Sequence, residues 1–119
     1  MRIAISASGE TLESLLNPRL GRCEHFVLYN EDNSETATVE NTGRFSVGAA
    51  GIATADLLSD YDVEVLITGN VGPNAFTALQ AAGIKVYTGA SGKIKDVLQD
   101  YKNGKLSEAK GPNVGPHGR

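Results

Sequence analysis

The stretch Asp62-Val63-Glu64-Val65-Leu66-Ile67-Thr68-Gly69-Asn70-Val71-Gly72-Pro73 constrains the fold more than any other part of the chain. Val63 to Thr68 is almost continuously apolar, the pattern of a strand buried on both faces. Gly72-Pro73 follows, and proline is favoured at a first helical position because the N–H it lacks would have had no partner there. Phe76, Leu79 and Ala82 then recur at helical spacing, Gly83 stands where a C-terminal glycine cap belongs, and Ile84 to Tyr87 reads as another short strand. A doubly buried strand joined through a helix to a further strand implies parallel pairing by a right-handed crossover, with helices on both sheet faces.

The remaining elements fit around that unit. Arg2 to Ala7 reads as a first strand, His25 to Tyr29 as a second and Glu35 to Glu40 as a weaker third, with the polar run 30–34 as the hairpin loop between the last two. Gly48 to Asp60 is rich in alanine and leucine and reads as a helix. Ile94, Val97, Leu98 and Tyr101 fall at i, i+3, i+4 and i+7, the clearest amphipathic helix in the chain. The expected order is β-β-β-α-β-α-β-α: a three-layer α/β domain with a mixed five-stranded sheet. Residues 8–21 leave room for one or two helical turns between Thr11 and Leu16. Strand two is expected antiparallel to strand one, because so short a connection leaves little room for a full crossover helix. The domain is expected to span 1–108. The tail 109–119 carries Gly111, Pro112, Gly115, Pro116 and Gly118 with little apolar content, and is expected to be flexible.

Several function classes drop out on composition. Lys and Arg number 11 against 14 Asp and Glu, a formal charge of −3, which disfavours non-specific nucleic-acid binding. No apolar run approaches the ~18 residues of a membrane span, and the N-terminus lacks a signal-peptide core. With one cysteine there is no internal disulfide. The cytoplasm is the expected compartment.

With strand one taken as running upward, the upper edge of the sheet collects residues 8–23, 41–48, 69–73 and 88–93, together with three helix N-termini. Ligands of open α/β sheets bind beyond the carboxyl ends of the parallel strands, so that edge is the candidate site. Arg19, Arg22 and Cys23 come from its first loop and Arg44 from its second. Gly69, Asn70 and Gly72 form one glycine loop opening onto a helix; Ser91, Gly92 and Lys93 belong to another. Helix N-termini and arginines together suit an anion, although glycines of this kind serve equally as plain turns and caps. Cys23 and His25, two residues apart on an expected strand, would share a face and offer soft-metal ligands. Set against that is a reading of Cys23 as a small buried apolar residue and of His25 as an ordinary strand residue. His117 in the tail is a further, weaker candidate ligand.

Sharper motifs fail. Gly92-Lys93 is followed by Ile94 and preceded by Tyr87 where a P-loop needs glycine, and neither Gly69/Gly72 nor Gly48/Gly51 completes G-x-G-x-x-G. No carboxylate cluster supports a metal-dependent nuclease, and no hydroxyl–histidine pair supports a serine-type triad. A non-enzymatic role is expected.

The segment Asn17-Pro18-Arg19-Leu20-Gly21-Arg22-Cys23-Glu24-His25-Phe26 resembles the "FGR…F" segment of the dinitrogenase iron–molybdenum cofactor biosynthesis family. Gly48-Ala49-Ala50-Gly51-Ile52 resembles its glycine–alanine helix start, residues 62–75 its strand–GxGP–helix segment, Ala82 to Tyr87 its "GIKVY" strand, and residues 111–117 its "PNV…H" ending. The resemblance implies a ribonuclease-H-like fold and a carrier of the iron–molybdenum cofactor or of iron–sulfur precursors. It also implies metal-cluster donor and acceptor proteins as partners, in a monomer or weak dimer. Two departures stand out: Leu20 replaces the usual phenylalanine, and Ser46-Val47 stands where many members carry histidine. The alternative is a small-anion or nucleotide-binding regulatory module using the same loops.

Overall fold

The computed structural model describes residues 1–46 and 50–113. Its elements are β1 (Arg2–Ala7), a 3-10 turn at Leu20–Arg22, β2 (His25–Asn30), β3 (Thr36–Glu40), a second 3-10 turn at Thr42–Phe45, α1 (Ala50–Asp60), β4 (Val65–Ile67), α2 (Pro73–Ala81), β5 (Lys85–Tyr87) and α3 (Ile94–Lys102). The sheet order is β3-β2-β1-β4-β5. β2 runs antiparallel to β1, as its short connection requires, while β4 and β5 pair parallel.

Both faces of the central strands are covered. Ala4, Phe26, Leu28, Leu66 and Val86 pack under α1 and α2 with Ala55, Leu58, Phe76 and Leu79. Ile3, Ile5, Val27, Tyr29, Val65 and Ile67 pack under α3 with Ile94, Val97 and Leu98. The alternation along β1 and β4 therefore divides apolar side chains between two cores, which is why β4 reads as unbroken hydrophobicity. Each such Leu, Ile or Phe contributes roughly 1.5–3 kcal/mol on full burial.

Two segments differ from the sequence expectation. Residues 8–19 form no helix; after a turn closed by the Ser14 N–H on Thr11 O they run across the sheet's upper edge, bridging Leu16 to Ala7, Leu15 to Lys93 and Arg19 to Asn70. Pro18 disfavours helical backbone at Asn17, and bonds to the strand ends replace the helical ones. Past the expected boundary at 108, the described part of the tail is docked. Glu108 bridges Tyr87 and the Ala109 N–H donates to Val86 O at 2.7 Å, covering the open edge of β5. Leu106 packs against one core and Ala109 against the other. His117 and the rest of 114–119 lie outside the described residues, as do Val47, Gly48 and Ala49.

Candidate functional site

The upper edge is assembled by polar groups at the strand ends. Ser6, the penultimate residue of β1, and Thr68, just after β4, are both fully buried with their hydroxyls 2.8 Å apart. Ser6 Oγ donates to the Asn17 carbonyl at 2.7 Å, and the Asn17 N–H returns a bond to Ser6 O. Next to it, the Asn70 N–H donates to Pro18 O at 2.8 Å. Gly69 permits this approach: a Cβ there would stand 2.7 Å from Pro18 Cα. The first loop is thus bonded onto the loop between β4 and α2.

The other side of the site is a helix pair. α1 and α2 touch at their first turns, where Gly51 lies so close to Ala75 that an added Cβ would come within 2.7 Å of the alanine methyl. Gly21, in the 3-10 turn between Arg19 and Arg22, rests against Ala50 and Gly51. Two positive helix ends and the arginine turn therefore converge. Pro73 supplies no N–H, and the N–H groups of Gly72, Asn74 and Ala75 have no partner among the described residues. Arg19 and Arg22 are exposed, and among the described residues neither has a carboxylate at ion-pair distance; Arg22 donates only to Arg44 O, at 3.3 Å. Of the sequence candidates, Arg19 is bridged to Asn70 between Gly69 and Gly72, while the turn that carries Arg22 rests on the start of α1.

The remaining candidates do not join them. Ser91 and Gly92 lead into α3, but that helix end is already closed: Ile94 N–H donates to Ser14 O, Lys95 N–H to Leu12 O, and Leu16 N–H to Gly92 O. The strip that crosses the sheet edge has taken the donors an anion would use. Arg44 is likewise spent, donating to the Glu24 and Asn41 carbonyls, pairing with Glu40 at 3.4 Å and lying 4.2 Å over the Phe45 ring.

Cys23 and His25 do not share a face. Cys23 precedes β2 and follows a 3-10 turn, so the two-residue alternation of a strand does not extend to it. Its side chain is fully buried in the core under α1 and α2. Sγ donates to Leu20 O at 3.3 Å and accepts from Asn41 Nδ2 at 3.6 Å. Burial pushes the thiol up to about 12, so it is protonated at neutral pH, and its full burial keeps it away from anything bound at the open edge. His25 lies on the other side of β2, with Nε2 3.6 Å from Glu10 Oε1 and a buried Nδ1 that has no partner among the described residues. Among the described residues no three His, Cys, Asp or Glu side chains group together as metal ligands.

Asn41 escapes a reading of motifs. Fully buried after β3, it donates through Nδ2 to Cys23 O at 3.1 Å and accepts through Oδ1 from Thr54 Oγ1 at 3.1 Å. It ties the arginine turn to α1. Nothing in the local sequence marks it, because its partners lie 18 and 13 residues away.

A family model described as dinitrogenase iron–molybdenum cofactor matches residues 1–104. The chain belongs to the dinitrogenase iron–molybdenum cofactor family. The apo form of the orange protein from Desulfovibrio gigas superposes with a TM-score of 0.92 at 39% identity, over 95% of this chain and 96% of that one. A putative NifB protein from Thermotoga gives 0.84 at 34% identity, over 95% and 97%. An uncharacterised protein of Methanocaldococcus jannaschii is 31% identical over 96 residues, which is 78% of this chain and 81% of its own. Of the pair Ser46-Val47, where the sequence departs from the pattern it resembles, Ser46 closes the second 3-10 turn by donating its N–H to Gly43 O, and Val47 lies outside the described residues. No helix among the described residues is long and apolar enough to cross a membrane.

Proposed function

We propose that this chain is a non-enzymatic carrier that holds an anionic metal–sulfur cluster, or a related molybdenum species, at the upper edge of its sheet. The observation that carries the reading is the convergence of two helix N-termini with Arg19 and Arg22, whose charges are not neutralised by any described carboxylate. Membership of an iron–molybdenum cofactor family supports a cofactor-related cargo, as does the resemblance to a protein named for its colour and solved in its apo form. Cys23 is not part of the proposed site. The cargo is held by charge-assisted hydrogen bonds from the arginine forks and from the Gly72, Asn74 and Ala75 N–H groups. Such binding is reversible and suits a protein that receives cargo from one partner and passes it to another.

The test is a titration of tetrathiomolybdate into the chain and into Arg22→Ala at two salt concentrations, with anaerobic reconstitution by iron and sulfide alongside. Binding that weakens in the variant and loses part of its salt dependence is expected. Equal affinity would overturn the site. Binding of phosphate or nucleotide, with no uptake of thiomolybdate or coloured cluster, would support the regulatory module instead.

A further inference from the structure

The loop between β4 and α2 is held from two sides. Pro18 O takes the Asn70 N–H on one. On the other, Asn113 reaches back 42 residues to the same loop: its N–H donates to Val71 O at 3.0 Å and its Oδ1 accepts from the Val71 N–H at 2.7 Å. Its Nδ2 also donates to Gly69 O and to Asn70 Oδ1, each at 3.3 Å. One side chain thus satisfies a donor and an acceptor of the loop at once. The two-way pairing with Val71 imitates a strand bridge, one residue on from the bridge that Arg19 makes to Asn70.

Val71 directly precedes Gly72, and its side chain is fully buried. Fixing the Val71 peptide in both directions sets how the following N–H groups of α2 are aimed. We infer that Asn113 is a positioning residue for the anion site: it holds Gly69–Val71 so that the Gly72, Asn74 and Ala75 N–H groups, unpartnered among the described residues, face the cargo. This rests on the carrier reading above and extends the functional unit past the expected domain boundary at 108. Asn113 itself touches no cargo. A purely structural tie would fasten the C-terminal strap and leave affinity alone.

The test measures tetrathiomolybdate affinity, its salt dependence, thermal stability and Val71 amide exchange in the full chain and in Asn113→Ala and Asn113→Asp. In Asn113→Ala, faster Val71 exchange, an affinity about tenfold lower and an unchanged salt slope are expected, since Arg19 and Arg22 still carry the charge. A tenfold loss corresponds to about 1.4 kcal/mol, the scale of one or two neutral hydrogen bonds. Asn113→Asp keeps the acceptor for Val71 but loses both donors and adds negative charge, so it should also bind more weakly. Faster Val71 exchange with wild-type affinity in Asn113→Ala would overturn the inference and leave the carrier reading standing. No binding by the unaltered chain would overturn both.

Discussion

Replacing Asn41 by alanine should cost this protein a large share of its stability and loosen the arginine turn. Asn41 is fully buried and makes two well-formed side-chain bonds, to Cys23 O and from Thr54 Oγ1, both at 3.1 Å. The contacts to Leu20 O at 3.5 Å and to Cys23 Sγ at 3.6 Å are long and add little. Alanine leaves a buried carbonyl and a buried hydroxyl short of a partner, at roughly 1–3 kcal/mol each. Thr54 sits in α1 and its hydroxyl can fall back on a helix carbonyl, which lowers its share. The expected loss is about 2–4 kcal/mol out of a typical ~5–15. At ~4 °C per kcal/mol for a domain of this size, Tm falls by about 8–16 °C. Urea denaturation gives the free energy, and a cycle with Thr54→Val isolates the pair. Once the threonine hydroxyl is gone, Asn41→Ala no longer orphans it, so the double variant should fall short of the summed losses by ~1 kcal/mol. A loss below ~1 kcal/mol for Asn41→Ala, or strict additivity, would refute the role assigned to this side chain.

The other predictions concern the thiol and the close approaches. The Cys23 thiol is raised from its ordinary 9.0 to about 12 in the folded chain, so its contribution to stability is complete below pH 9 and is lost as pH rises toward 12. Lys95 and Tyr101 are also raised and titrate over part of that range, so urea titrations should show a steeper decline in wild type than in Cys23→Ala; parallel declines in both would remove the thiol as a cause. Gly69→Ala places a methyl 2.7 Å from Pro18 Cα, so the first loop must move. Amide shifts at residues 17–22 and weaker thiomolybdate binding are expected, and unchanged shifts there would contradict the close packing. Gly51→Val should force the first turns of α1 and α2 apart, seen as lower Tm together with lost anion affinity; wild-type affinity would show that the two helix ends need not touch.

Local pattern was enough to find β4, the proline-led α2 and the amphipathic α3: an unbroken apolar run reports a strand covered on both faces, and helical apolar spacing reports one buried face. The antiparallel β2 followed from a connection too short for a crossover. That the arginines and the glycine loop lie at one edge was legible because the topology alone sends them there. Closure of α3 by the Leu12 and Ser14 carbonyls was not, since it depends on bonds across some 80 residues of chain. For Cys23 and His25 the alternation rule was carried two residues beyond the strand in which it holds. Asn41 gave no sequence signal, because an asparagine that bridges two backbone segments looks like any loop asparagine until its partners are in place; Asn113 fell within the ending that resembles the family's, but its tie to Val71 spans 42 residues and no local pattern shows it.

The most direct measurement of where cargo sits is the change in backbone amide shifts when tetrathiomolybdate is titrated into isotope-labelled protein. Perturbations centred on Arg19, Arg22, Gly72, Asn74 and Ala75 are expected, with α3 and the β3 edge unmoved. An open groove near the C-terminal end of α2, lined by Phe76, Gln80, Ile84 and Glu108, is a rival location. Perturbations confined to that groove, or none at saturating probe, would contradict a carrier whose binding edge is built from arginines and helix ends.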